Sequence, residues 1–164
     1  MNEETVVHPI APVFDERSKI LILGSFPSVK SREQMFFYGH PQNRFWRILA
    51  AIFDSRLPST VEEKRAFLLQ NRIALWDVIA SCRIVGSADS TISHVSPNDL
   101  SLILKNAPIQ AIFTNGQTAA ALYRRYIFPK TKREAITLPS SSPANAAYSL
   151  ERLICAWQAV RFFD

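Results

Sequence analysis

The sequence predicts an α/β fold of three layers, with helices on both faces of a central four-stranded parallel sheet. Two observations lead to this prediction. First, four short apolar runs occur along the chain: Lys19–Gly24, Ile73–Trp76, Ala111–Thr114 and Ala135–Leu138. Runs of this length are typical of strands that are covered on both faces. Second, the chain between the runs changes to helical spacing, and an alternation of strand and helix favours a parallel sheet.

The segments between the runs carry helix signals of two kinds. Apolar residues recur at helical spacing over residues 45–53, 119–126 and 150–160. Thr60 and Glu63 stand in the pattern of a capping box, which predicts a helix through about Gln70. Ser96 and Pro97 have the pattern of an N-cap followed by a first-turn proline, so we expect another helix to begin there.

The length of 164 residues, without a repeat or a linker, predicts one domain over residues 1–164, around which residues 1–18 wrap. No stretch approaches the roughly 18 apolar residues of a membrane span, and the acidic N-terminus is unlike a secretory signal. Cys82 and Cys155 form no C-x-x-C pair, which disfavours a disulfide framework or a zinc site. We therefore expect a cytoplasmic protein without membrane contact, and we expect Cys155 in the core.

The formal net charge of +5 permits an anionic partner without requiring one. Much of the excess lies within the basic segment, residues 124–133, which contains Arg124, Arg125, Lys130, Lys132 and Arg133. A solvated basic face explains such a cluster as well as a nucleic-acid contact does. The sequence leaves open on which side of the domain this segment lies.

Ligands of parallel α/β sheets bind at the carboxyl ends of the strands, so the residues that follow each run are informative. Gly24 ends the first run, and Ser25 and Phe26 follow it without a glycine-rich phosphate loop. A loop rich in aromatic residues, 36–46, comes next and could offer a ring face to a base. Asn115 follows the third run, and a loop of serines between prolines, 139–145, follows the fourth.

Five motifs in this order resemble the uracil-DNA glycosylase superfamily, and in particular its hypoxanthine-DNA (deoxyinosine) glycosylase branch. They are Gly24-Ser25-Phe26-Pro27, His40-Pro41-Gln42-Asn43-Arg44-Phe45-Trp46, Leu75-Trp76-Asp77-Val78, Asn115-Gly116 and Leu138-Pro139-Ser140-Ser141-Ser142-Pro143-Ala144-Asn145. The resemblance covers roughly residues 9–160. It implies a uracil-DNA-glycosylase-like fold and a monofunctional enzyme that flips a deaminated base out of DNA and hydrolyses its N-glycosidic bond.

The resemblance also implies roles for individual residues. Asn43 takes the catalytic position and is expected to orient water, because Phe26 stands where other branches carry an Asp or Asn. The ring of Tyr38 is expected to stack on the extruded base, with Phe37 as the alternative. The implied base-binding set is Gly24, Ser25, Phe26, Phe37, Tyr38, His40 and Asn115. The implied DNA-binding set is Arg44, Ser140, Ser141, Ser142 and Asn145. No metal or cofactor is implied, and the expected partner is DNA with a deaminated base, bound by a monomer.

Three alternatives remain open on the sequence. Hypoxanthine is favoured as the substrate, but uracil and xanthine fit as well, and mismatch-specific uracil/thymine glycosylases share the segment around Asn43. A damaged-DNA-binding module of the same fold that does not cut is the second alternative, because Phe26 cannot activate water. A small-molecule hydrolase is the third, and it is disfavoured because no Ser-His-Asp spacing is evident.

Overall fold

The computed structural model describes residues 3–162. The strands are β1 (Glu3–Val7), β2 (Ile20–Gly24), β3 (Ile73–Asp77), β4 (Ile79–Val85), β5 (Ala88–Pro97), β6 (Ala111–Asn115) and β7 (Ala135–Leu138). The α-helices are α1 (Val29–Gln34), α2 (Phe45–Ile52), α3 (Val61–Gln70), α4 (Ser101–Asn106), α5 (Gln117–Leu122), α6 (Phe128–Thr131) and α7 (Leu150–Ala156). A π-helical turn (Tyr123–Ile127) joins α5 to α6, and a 3₁₀ segment (Trp157–Phe162) follows α7.

The central sheet has four parallel strands in the order β3-β2-β6-β7, which confirms the predicted architecture. Gly24 pairs with Asp77, and Asn115 pairs with Leu138, so the last residues of the four strands lie along one edge. This carboxyl edge is where ligands bind in folds of this class. The register therefore brings together the loops that carry the sequence motifs.

Each face of the sheet has its own apolar core. Alternate residues of β2 point to opposite faces, with Ile20 and Ile22 in one core and Leu21 and Leu23 in the other. The first core is closed by α2, α3, α7 and the 3₁₀ segment, and the second by α4, α5, the π-helical turn and part of β4. Burial on both faces explains why the strands read as unbroken apolar runs.

A second sheet, antiparallel and of three strands in the order β1-β4-β5, was not foreseen from the sequence. The N-terminal segment contributes β1 to it, and Val13 then forms a bridge with Leu75 of the central sheet. Met1 and Asn2, the start of the expected wrapping segment, lie outside the described residues. Register shifts interrupt the pairing of β4 with β5, and such irregular strands lack a clean alternation of apolar and polar residues.

The helix expected from Ser96 and Pro97 begins later, so that prediction is wrong. Both residues belong to β5, and α4 starts at Ser101, whose N–H donates to Oδ1 of Asp99. The reason is Asn98, which is buried and donates from Nδ2 to the carbonyl oxygens of residues 77 and 79. These bonds tie the chain to the end of β3 before a helix can form.

Two other local predictions have opposite outcomes. The capping box is confirmed, because the Thr60 hydroxyl accepts a hydrogen bond from the Glu63 N–H at the start of α3. The placement of Cys155 in the core is wrong, because this residue is exposed. The buried side of the last helical segment is formed by Leu153 and Trp157, and a residue midway between them points away from it.

The basic segment, residues 124–133, ends at the amino edge of the central sheet. Arg133 stands two residues before β7, and its Nη2 donates to the Ile109 carbonyl, 2.6 Å away, just before β6 begins. Parallel strands begin at a common edge, so this end of the segment lies opposite the edge that carries Asn115. No helix within residues 3–162 is long and apolar enough to cross a membrane.

Candidate active site

A buried serine joins two asparagines at the carboxyl edge of the sheet. The Oγ of Ser141 lies 2.8 Å from Oδ1 of Asn43 and 2.9 Å from Nδ2 of Asn115. The backbone N–H of Ser141 also donates to Oδ1 of Asn115, at 3.0 Å. Ser141 is fully buried, whereas both asparagines are half-buried. The three side chains form one hydrogen-bonded relay between the loop before α2, the end of β6 and the loop after β7.

Backbone donors determine which way each amide of the relay points. The N–H of Phe45 donates to Oδ1 of Asn43 at 3.0 Å, and the N–H of Ser141 identifies Oδ1 of Asn115 as an acceptor. The Asn115 Nδ2 therefore donates to Ser141 Oγ, and the serine hydroxyl donates to Asn43 Oδ1. Both lone pairs of Asn43 Oδ1 are engaged. Within residues 3–162, no hydrogen bond involves Asn43 Nδ2, so this amide offers a ligand a donor.

Arg44, a member of the predicted DNA-binding set, holds the serine loop in place. Its guanidinium donates to the carbonyl oxygens of Ser141, Ser142 and Asn145 at 3.4, 2.7 and 3.0 Å, and also to that of Tyr148. Its backbone N–H donates to Ser141 as well. Four of the five N–H groups of the guanidinium are thereby used. Arg44 thus fixes the position of Ser141 in the relay.

Tyr38 lies beside the relay with an unusual backbone and an unpaired hydroxyl. Its φ of 52° is rare for a bulky residue, and its ring stacks on Phe45 with centroids 4.0 Å apart. The hydroxyl is buried beside Asn115 and Asp77, and no described residue makes a well-formed hydrogen bond with it. Burial, together with the charge of Asp77, raises the pKa of Tyr38 far above its usual range. The hydroxyl therefore stays protonated at neutral pH.

At this edge the backbone of Gly24 lies directly against the side chains of Asp77 and Tyr38. A Cβ at this position would lie 2.4 Å from Asp77 Oδ1 and 2.8 Å from the Tyr38 hydroxyl, so only glycine fits. Asp77 is itself buried, and its Oδ2 lies 2.7 Å from Nε2 of His8. This pair ties the N-terminal segment to the end of β3, so the contact of Asp77 is a structural one. Sequence reasoning gave no partner for His8, because 69 residues separate the two.

The remaining members of the predicted base-binding set have different surroundings. Ser25 is half-buried, and its hydroxyl donates to Oδ2 of Asp89 at 3.0 Å. Phe26 and Phe37 are buried in the two cores, with 8% and 2% of their surface exposed, so neither offers a free ring face. His40 is half-buried, and its Nδ1 accepts from the N–H of Gln42.

The serines of the predicted DNA-binding set divide by exposure. Ser141 is buried in the relay, so its hydroxyl cannot reach a phosphate. Ser140 and Ser142 are half-buried, and their hydroxyls accept hydrogen bonds from backbone N–H groups two residues further on. Asn145 donates from Nδ2 to the carbonyl of Ser140 and stiffens the loop. Among the described residues, no three His, Cys, Asp or Glu side chains are grouped so that they could hold a metal ion.

Comparisons with known proteins show the family to which the chain belongs. A family model described as the uracil DNA glycosylase superfamily matches residues 11–162. A protein named hypoxanthine DNA glycosylase from Methanosarcina acetivorans is 38% identical over 150 residues, which cover 90% of this chain and 93% of the relative. One of the same name from Methanosarcina barkeri is 38% identical over 65% of this chain and 68% of its own length. A solution NMR structure of a candidate uracil DNA glycosylase from M. acetivorans superposes on this chain with a TM-score of 0.80 and is 36% identical in sequence. The match covers 94% of this chain and 96% of the NMR structure's chain.

Proposed function

Because the chain belongs to the uracil DNA glycosylase superfamily, we propose that it flips a deaminated base, hypoxanthine in preference to others, out of DNA and hydrolyses its N-glycosidic bond. The observation that carries this proposal is the Asn43–Ser141–Asn115 relay at the carboxyl edge of the sheet. It presents fixed amide groups where ligands bind in this fold class. A single chain supplies every member of the relay, so we propose that the protein acts as a monomer.

Cleavage of the bond leaves negative charge on the departing base and positive charge on the sugar. The free donor of Asn43 suits the base, because a fixed N–H stabilises charge that develops on a ring nitrogen or carbonyl. The same donor suits the attacking water less well, because a water that accepts this hydrogen bond has only one lone pair left to attack the sugar. We therefore assign Asn43 to the leaving base, in place of the water-orienting role expected from the sequence.

Asn115 and Tyr38 complete the base site of this proposal. The Nδ2 of Asn115 donates to Ser141, and its amide also lies beside the Tyr38 hydroxyl, so we assign Asn115 to the wall of the base site. One face of the Tyr38 ring stacks on Phe45, which fixes the ring in place. We assign the opposite face of the Tyr38 ring to stacking on the base. Extrusion costs a few kcal/mol, which backbone contacts of the loop at residues 140–145 help to offset.

A panel of oligonucleotides tests the proposal. Each oligonucleotide carries hypoxanthine, uracil or xanthine, in single-stranded and in duplex form, or thymine opposite guanine in a duplex. Undamaged strands serve as controls. Abasic sites are revealed by alkaline cleavage under single-turnover conditions. We expect hypoxanthine to be removed fastest and the undamaged strands to stay intact. Faster removal of uracil or mismatched thymine would contradict the substrate assignment, and binding without any cleavage would identify a damage-recognition module instead.

A further inference from the structure

The hairpin between β4 and β5 is fixed against the segment that follows β2, which includes Ser25 and helix α1. Three contacts attach it: Val29 N–H donates to Ser87 Oγ at 2.9 Å, Arg32 Nη2 donates to the Gly86 carbonyl at 2.9 Å, and Ser25 Oγ donates to Asp89 Oδ2 at 3.0 Å. Ser25 directly follows Gly24, the last residue of β2. The contacts therefore hold the carboxylate of Asp89 at the carboxyl edge of the central sheet.

The relay itself contains no group that can take a proton from water. Amides and a serine hydroxyl do not accept protons at neutral pH, and the Tyr38 hydroxyl is already protonated. Asp77 is buried, and its Oδ2 is engaged by His8. Asp89, by contrast, is an exposed residue, and within residues 3–162 no hydrogen bond involves its Oδ1. It is the carboxylate at this edge that a water molecule can reach.

We propose that Asp89 is a catalytic residue that holds the attacking water on its free Oδ1 and accepts a proton from it, an inference that rests on the glycosylase function proposed above. As the water oxygen bonds to C1′ of the sugar, the C1′–N bond breaks and its electron pair leaves with the base. The proton lost by the water passes to Asp89 and then to solvent, and the base takes up one proton from solvent. The negative carboxylate also stabilises the cationic sugar.

The charges around Asp89 favour this assignment. Although Asp89 is exposed as a residue, partial burial of its carboxyl group raises its pKa above the ordinary value. The hydrogen bond from Ser25 lowers the pKa, and the charge of Asp77 raises it. The neighbouring ionisable groups are Asp77 on β3, Tyr38, Cys82 on β4 and Arg32 on α1, which donates to the hairpin. A carboxylate with a raised pKa is a better proton acceptor. Activity should fall as the pH drops through this pKa.

Asp89→Asn separates chemistry from structure. The asparagine keeps an oxygen that can accept the Ser25 hydrogen bond, so the hairpin stays attached, but the charge and the proton acceptor are lost. Single-turnover cleavage of a hypoxanthine duplex should fall by about 10²-fold, with unchanged affinity for that duplex by fluorescence anisotropy. Ser87→Ala is the matched control, because it removes another attachment of the same hairpin without touching the carboxylate, and it should cleave at the wild-type rate.

The pH profile adds a second readout. In Ser25→Ala the hydrogen bond that lowers the Asp89 pKa is gone, so the acid limb of the rate profile should move to higher pH. A wild-type rate in Asp89→Asn, or an equal loss in Ser87→Ala, contradicts the role of Asp89 and leaves the glycosylase function standing. Wild-type protein that cleaves no lesion contradicts the proposed function itself, and with it this inference.

Discussion

The hydroxyl of Ser141 lies 2.8 Å from Oδ1 of Asn43, although 98 residues separate them along the chain. Through the same oxygen Ser141 accepts a hydrogen bond from Asn115. One buried hydroxyl thus determines how two amides face a ligand. The hydroxyls of the neighbouring Ser140 and Ser142 have the same chemistry, but among residues 3–162 each accepts a hydrogen bond from a backbone N–H two residues further on, so the position in the loop selects which of the three serines acts.

Ser141→Ala should reduce cleavage because it leaves Asn43 Oδ1 and Asn115 Nδ2 without their shared partner. We expect a loss of about 1–3 kcal/mol in stability from unsatisfied polar groups, and a slower single-turnover rate. Thr114→Val is a matched control, since the Thr114 hydroxyl is buried one residue before Asn115 and has no hydrogen-bond partner within residues 3–162. That variant should keep the wild-type rate. Equal cleavage rates for the wild type and Ser141→Ala would contradict a role of the relay in catalysis.

Tyr38→Ala should weaken base-dependent binding by about 1–3 kcal/mol, because the stacking platform is lost. Tyr38→Phe should bind like the wild type and be at least as stable, because it removes a buried hydroxyl that has no well-formed hydrogen bond to any described residue. Anisotropy titrations with hypoxanthine and undamaged duplexes, together with urea denaturation, measure both effects. If Tyr38→Phe binds as weakly as the alanine variant, the hydroxyl and not the ring face makes the contact.

Arg44→Lys should disorder the serine loop, although it keeps the positive charge. A lysine ammonium cannot reproduce the planar set of donors that binds carbonyls of Ser141, Ser142, Asn145 and Tyr148. We expect a loss of roughly 2 kcal/mol in stability, because several partly buried carbonyls lose their partner. Limited proteolysis should cut the loop faster than in the wild type. Wild-type stability with reduced DNA affinity would instead return Arg44 to a phosphate-binding role.

Neutralising Lys130 and Lys132 together should leave the salt dependence of DNA binding unchanged, because the end of the basic segment lies at the opposite edge of the sheet. Arg47 provides the comparison. It is exposed on α2 and donates to the carbonyls of Gln42 and Asn43, next to the relay. Arg47→Ala should make the slope of log affinity against log salt shallower by about 0.9, the value for one phosphate contact. A shallower slope in the lysine variant would place the basic segment on DNA.

The sequence predicted the central sheet well because strands buried on both faces leave a strong signal, as in Ile20–Gly24. It failed where a long-range side-chain contact overrides local propensity. Asn98 delays the helix after Pro97 by bonding to the end of β3, and nothing near Pro97 in the chain reveals this. The irregular strand β5 escaped notice for a similar reason, since it owes its conformation to its pairing with β4.

For the candidate site, the sequence placed Asn43, Asn115 and the serine loop at one edge, because motifs that follow parallel strands meet there. It could not distinguish Ser141 from the serines beside it, nor see that Arg44 is used to hold the loop. It also gave no reason to connect Asp89 with Ser25, since the antiparallel hairpin that carries Asp89 was not foreseen. Residue identity gives the chemistry of a side chain, whereas its partners depend on the fold.

The most direct test of the account is the single-turnover rate of abasic-site formation in a hypoxanthine duplex, measured for the wild type and for Asn43→Asp. The aspartate keeps the oxygen that accepts from Phe45 and Ser141 but lacks the Nδ2 donor assigned to the leaving base. We predict that the wild type forms abasic sites and that Asn43→Asp is slower by about 10²-fold or more, with unchanged affinity for a duplex containing 2′-fluoro-deoxyinosine, which resists cleavage. If Asn43→Asp cleaves at the wild-type rate, the assignment of the Asn43 Nδ2 donor to the leaving base is wrong.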